Sequence, residues 1–273
     1  MMQLTIYQAD AFSDRLFGGN PAAVVPLERW ISDGLMQQLA MENNLAETVF
    51  FVPEKDGFAI RWFTPESEIN LCGHATLASA YILFEKLGYE KEQITFYSQS
   101  GPLVVTRLTG ETADTVFKAE MDFPSWMPER YDAYPEEMLQ ALGIKEIVGV
   151  YKNRDLLVEL PDETAVQQAV PDFTLLKKLG YKVIITAPGK TVDFVSRFFA
   201  PSFGVDEDPV TGSAHAQLIP FWSHKLNKTT MEAKQLSKRG GHLWVQQKGE
   251  RVIMGGNCVF YMQGKVQLPE NVG

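Results

Sequence analysis

Arg61-Trp62-Phe63-Thr64-Pro65 in the first half of the chain and Arg197-Phe198-Phe199-Ala200-Pro201 in the second share the pattern R-x-F-x-P. Gly73-His74-Ala75 begins eight residues after Pro65, and Gly212-Ser213-Ala214 begins eleven after Pro201. Each tripeptide opens a run with helical character: Ala75, Ala78 and Ile82 in one half, Ala216, Leu218 and Ile219 in the other. Each half thus reads as strand, Pro-containing loop, Gly turn, helix. R-x-F-x-P is short and degenerate, but its agreement with the position of the Gly turn favours duplication over chance. A repeat at this long period points to two similar domains rather than a solenoid. They are placed at residues 1–126 and 127–273, with the last strand able to cross back to the first.

Working outward, LTIYQADAF at the start roughly alternates apolar and polar residues and reads as a strand. Gly18-Gly19-Asn20-Pro21 makes a turn before a second strand, Ala22 to Val25. Ser32 is a helix N-cap, Leu35, Met36 and Leu39 share a face, and Asn43-Asn44 ends that helix. Further strand signals cover Thr48–Val52, Phe58–Phe63, Gln93–Ser98, Leu103–Leu108, Leu156–Leu160, Lys182–Thr186, His242–Gln247 and Arg251–Met254. Short Gly or Asn turns join most of them, so mostly antiparallel sheets wrapping a few helices are expected. Segment 127–140, rich in Pro, Asp, Glu and Tyr, reads as a bridge between the halves.

With 45% hydrophobic and 22% charged residues, the composition is that of a globular protein. No stretch reaches the ~20 apolar residues of a membrane helix. MMQLTIYQADAF lacks the basic and apolar regions of a secretory signal, so a cytoplasmic location is expected. A net charge of −9 argues against nucleic acid as the main partner, yet a local site can still hold a small anion. Cys72 and Cys258 form no C-x-x-C pair, and His74, His215, His224 and His242 show no H-x-x-x-H spacing, so no metal site is expected. No nucleotide or flavin motif occurs, and no cofactor is expected.

Gly73 and Gly212 stand at helix mouths, where free backbone N–H groups and the helix dipole suit an anion. Each glycine alone could be an ordinary strand-to-helix turn; the matched pair favours binding of a substrate carboxylate. Glu47, at the threshold of a strand beside an apolar core, could serve proton transfer or simply face solvent. His74 could be a second acid/base or a helix cap. Cys72 precedes a helix N-terminus, where a thiol pKa can be lowered. Asp206, Glu207 and Asp208 read as a solvated loop, or as hydrogen-bond acceptors for a substrate. His215 and Cys258 read as buried packing.

GGNPAAVV, NNLAET around Glu47, FTPESEINLCGHAT at 63–76, FFAPSFGVDEDPVTGSAH at 198–215 and LSKRGG at 236–241 together resemble the PhzF-like phenazine-biosynthesis family. Their order and spacing agree with that family from end to end. The resemblance implies the α+β diaminopimelate-epimerase-like fold: two similar halves, each a barrel-like, mostly antiparallel sheet around a central helix, with the active site between them. It implies that Glu47 is the general acid/base, that His74 and Asp208 are active-site residues, and that Gly73, Gly212 and Ser213 belong to the anion-binding turns. It further implies a cofactor-independent isomerase that moves a proton on a small carboxylate-bearing substrate, and a homodimer. Related epimerases place a cysteine before each central helix; here Cys72 occupies the first position and Thr211 the second. A threonine hydroxyl is a poor base near pH 7, which disfavours a two-thiol racemase. An epimerase using Glu47 with Cys72 and a non-catalytic metabolite-binding protein remain the alternatives.

Overall fold

The computed structural model describes residues 2–108 and 117–268. The chain forms two compact units, Met1–Asp122 with Gly255–Gly273, and Phe123–Met254. Among the described residues no helix is long and apolar enough to cross a membrane.

The first unit runs β1 (Met2–Ala11), β2 (Asn20–Pro26), α1 (Asp33–Asn43), β3 (Glu47–Glu54), β4 (Gly57–Phe63), β5 (Glu68–Ile69), α2 (Gly73–Glu85), β6 (Gln93–Ser98), β7 (Gly101–Arg107) and β8 (Lys118–Pro124). The Ser32 hydroxyl caps α1 by accepting from the Leu35 N–H, and Asn44 ends it in the left-handed region at φ 47°. The pairs β1–β2, β3–β4, β6–β7 and β7–β8 are antiparallel, whereas β2–β3 and β4–β6 are parallel. A late strand that pairs with β8 and, antiparallel, with β1 closes an eight-stranded barrel. Helix α2 fills it: every residue from Gly73 to Phe84 is buried. A helix apolar on all sides is stable only in such a position. Helix α1 packs outside, with Leu35, Met36 and Leu39 against Phe50 and Val52 of β3.

The second unit contains β9 (Glu129–Arg130), α3 (Glu137–Leu142), β10 (Gly149–Lys152), β11 (Leu156–Glu159), α4 (Glu163–Gln168), α5 (Phe173–Leu179), β12 (Val183–Pro188), β13 (Phe194–Ala200), β14 (Val205–Asp208), α6 (Gly212–Leu226), β15 (Thr230–Gln235) and β16 (Gly241–Lys248). Segment 127–140 thus supplies β9 and the start of α3 within this unit. Sheet side chains reach inward to α6: the Trp222 indole donates to Thr186 Oγ1 at 2.9 Å, and Phe194 stacks on Trp222. The outward residues Val183, Ile185 and Ala187 pack with Met138, Leu142 and Leu176. The final strand, β17 (Arg251–Leu268), carries the chain back into the first unit. It continues through Gly255-Gly256, where the sequence signal stops at Met254. The glycine is there for packing, since a Cβ on Gly256 would lie 2.3 Å from the Phe12 ring.

The duplication extends to strand register. Thr48 pairs with Phe63 as Val183 pairs with Phe199, and Ala23 pairs with Thr48 as Leu156 pairs with Val183. Both units also share the parallel step β4–β6 or β13–β15 and the short antiparallel flank β4–β5 or β13–β14. The repeated arginines make matched clamps. Arg61 holds Glu68 through Nε and Nη2 at 2.7 and 2.6 Å, and Arg197 holds Glu207 at 2.7 and 3.0 Å. Each clamp joins the R-x-F-x-P strand to the segment that leads into the helix-opening glycine.

His215 is fully buried, with Nδ1 2.8 Å from the Thr211 carbonyl, and burial lowers its pKa to about 4. The first unit solves the same position with Thr76, whose hydroxyl donates to the Cys72 carbonyl at 2.6 Å. Because the folded pKa lies below the ordinary 6.5, the unfolded chain binds the extra proton first. Stability should therefore be lost as pH falls from about 6.5 towards 4, by roughly 3 kcal/mol from this one group. Urea unfolding across that range, compared with His215→Gln, measures the contribution.

Candidate functional site

Glu47 opens β3, and its side chain points inward because Val49 and Phe51 share its parity while Phe50 and Val52 face α1. That direction brings its Oε2 to 3.0 Å from Nε2 of His74 at the start of α2. The separation is that of an ion pair; the angular demands of a hydrogen bond are not met, so the pair is held by charge and packing. His74 is 4% exposed and Glu47 13%, which leaves the carboxylate the more accessible of the two. On the other ring nitrogen, Asn20 Nδ2 lies 3.1 Å and Cys72 Sγ 3.5 Å from Nδ1. The arrangement chains Cys72, His74 and Glu47 along one imidazole, with Asn20 orienting the ring.

Burial opposes charge on His74, but the Cys72 sulfur and the Glu47 carboxylate hold its pKa well above the ordinary 6.5. Cys72 is itself pushed up to about 11, first by burial and then by Glu47. It stays a thiol near neutrality, so the charge that faces His74 there is that of Glu47. The thiol-lowering effect expected of a helix N-terminus is thus outweighed by desolvation, a correction to the sequence reading. The ligand atoms of Glu47, Cys72 and His74 lie within 4.8 Å of one another, a donor set of the type zinc accepts. H-x-x-x-H spacing could not reveal it, because Glu47 comes from a separate strand.

In the second unit, Asp208, Thr211, Gly212 and Ser213 gather at the mouth of α6. Thr211 Oγ1 donates to Asp208 Oδ2 at 2.5 Å. Gln235, fully buried on β15, donates from Nε2 to the Asp208 carbonyl at 2.7 Å and accepts from the Thr211 N–H at 2.9 Å. Ser237 of LSKRGG donates to the Pro209 carbonyl at 2.9 Å. Asp206, Glu207 and Asp208 form the end of β14 rather than a solvated loop, and of the three only Asp206 is exposed. Strand pairing and the Arg197 clamp withdraw the other two from solvent. The sequence marks Asn20 only as part of a turn and of the GGNPAAVV stretch, whereas it opens β2 beside His74, and Gln235 carries no sequence sign.

The model of the phenazine biosynthesis-like protein family matches residues 9–264. An uncharacterized isomerase of Pseudomonas aeruginosa is 48% identical over 268 residues, covering 98% of this chain and all of that protein. The crystal structure of a PhzF-family phenazine biosynthesis protein of Enterococcus faecalis superposes with a TM-score of 0.91 at 48% identity, covering 98% of this chain and all of the other. A hydroxyproline epimerase of Agrobacterium vitis, solved with trans-4-hydroxy-L-proline, shares the fold at a TM-score of 0.65 and 9% identity, over 98% of this chain and 94% of its own.

Proposed function

This chain belongs to the phenazine biosynthesis-like family, and from that premise we propose that it is a cofactor-independent isomerase in which Glu47 moves a proton on a small carboxylate-bearing substrate. The observation that carries the reading is the Glu47–His74 contact of 3.0 Å at the mouth of α2. It sets a base and an acid side by side at a helix end whose N–H groups favour an anion. Glu47 removes a proton from an activated carbon and returns it elsewhere on the conjugated system. His74 donates a hydrogen bond to the developing negative charge, and the amides opened by Gly73 add to that stabilisation, while in the second unit those opened by Gly212 form a like anion-binding turn. Asp208, oriented by Thr211, accepts a hydrogen bond from a substrate amine or hydroxyl, and Ser213 completes the second turn. The names of the relatives support an isomerase class; a homodimer rests on the family resemblance alone, and a cytoplasmic location on the sequence reading.

The test is incubation in D2O with a dihydro-hydroxyanthranilate, the substrate type that the PhzF resemblance implies, and, separately, with trans-4-hydroxy-L-proline, followed by NMR. Migration of a double bond in the first with no exchange in the second supports the reading. Exchange at Cα of the second would instead favour an epimerase, and ligand binding without any turnover a metabolite-binding protein. Cys72→Ala should leave turnover within about threefold, because a buried thiol held near 11 exchanges protons poorly at neutrality. Steady-state rates of the two proteins check this.

A further inference from the structure

The strand register repeated in the two units gives Glu47 a counterpart in the second. Phe50 pairs with Arg61 as Ile185 pairs with Arg197, and stepping back three residues along the chain from each carries Glu47 onto Lys182, the residue just before β12. The same step from Ala23 and Leu156, which pair with Thr48 and Val183, carries Asn20 onto Asn153. Lys182 has the inward parity of Ile184 and Thr186, and Thr186 bonds Trp222 of α6. Where the first unit carries a carboxylate at this register position, the second carries an ammonium.

That ammonium is poorly served. Lys182 is half-buried; its carbonyl accepts from the Leu156 N–H at 3.0 Å, but its ammonium makes no hydrogen bond or ion pair with any described residue. Its Nζ lies 4.2 Å over the Phe203 ring, itself 54% exposed. A second cation, Arg154, lies near enough that burial and the Arg154 charge together lower the Lys182 pKa. The carboxylate in reach of both is Asp155, which is buried, 3.9 Å from Arg154 Nε, and already accepts from Gln217 Nε2 at 3.3 Å. Two cations against one engaged carboxylate leave a local surplus of positive charge in a chain of net charge −9. A half-desolvated ammonium without an acceptor favours an anionic ligand.

The geometry points to Lys182, assisted by Arg154, as a binding subsite of the second unit for a small carboxylate.

The experiment is NMR of the full-length protein carrying lysine labelled with 13C at Cε, the Lys182 signal being the one lost in Lys182→Met. Titration with sodium acetate and with 2-aminobenzoate should move that signal saturably; the uncharged 2-aminobenzamide should not. Lys182→Met should weaken 2-aminobenzoate binding, read by its fluorescence, about tenfold or more, and Lys182→Arg should restore most of it. A Lys182 signal that responds to neither carboxylate, or unchanged affinity in Lys182→Met, overturns the proposal. Glu47→Gln should keep the Lys182 response while losing isomerisation. A wild-type protein whose Lys182 responds but which turns over no substrate would sink the isomerase reading and leave the subsite standing.

Discussion

Glu47→Gln should lower the isomerisation rate by about 10³-fold while leaving fold and substrate affinity nearly intact. General acid–base groups contribute roughly 10²–10⁴-fold, and in this account one group does both transfers, so the loss falls in the upper part of that range. Glutamine keeps the length and one oxygen of the side chain, so the packing beside His74 changes little. The His74 pKa should fall at the same time, because one of the attractions that oppose burial is removed. Turnover, a binding titration and a histidine NMR titration on the same variant separate these effects. A tenfold or smaller loss of turnover would show that another group carries the proton.

Arg197→Met should destabilise the protein by roughly 3 kcal/mol and depress activity as well. The Arg197 and Glu207 side chains are 12% and 18% exposed, so the variant strands a largely buried carboxylate. It also removes the donor to the Val166 and Ala169 carbonyls at the end of α4, at 3.3 and 2.8 Å. The lower melting temperature expected is roughly 6–12 °C for a chain of this size. Activity should suffer because Glu207 adjoins Asp208 on β14, whose position sets the turn into α6. Replacing both partners, as Arg197→Met with Glu207→Leu, should recover much of the stability. Melting curves of the single and double variants decide it.

The same residues show what could be read before any coordinates. R-x-F-x-P and the Gly turns announced the duplication because they are local, and the helix capped by Ser32 followed from spacing alone. The clamps were half legible: the arginines stood out, but Glu68 and Glu207 lie seven and ten residues on, a difference that hid the match. The contact between Glu47 and His74, and the equivalence of Glu47 and Lys182, depend on strand register across residues far apart in the chain. Period-two alternation says which face a residue takes, but not which residue of a distant strand stands opposite. Gln235 was invisible for a related reason, since its value lies in two backbone groups of a loop it never touches in sequence.

The claim that matters most is that one carboxylate, and not the neighbouring thiol, carries the proton. Deuterium incorporated from D2O into product, followed by NMR for Glu47→Gln and Cys72→Ala side by side, tests it most directly. Incorporation near the wild-type rate is expected in Cys72→Ala and none above background in Glu47→Gln. Incorporation that survives in Glu47→Gln and vanishes in Cys72→Ala would contradict it.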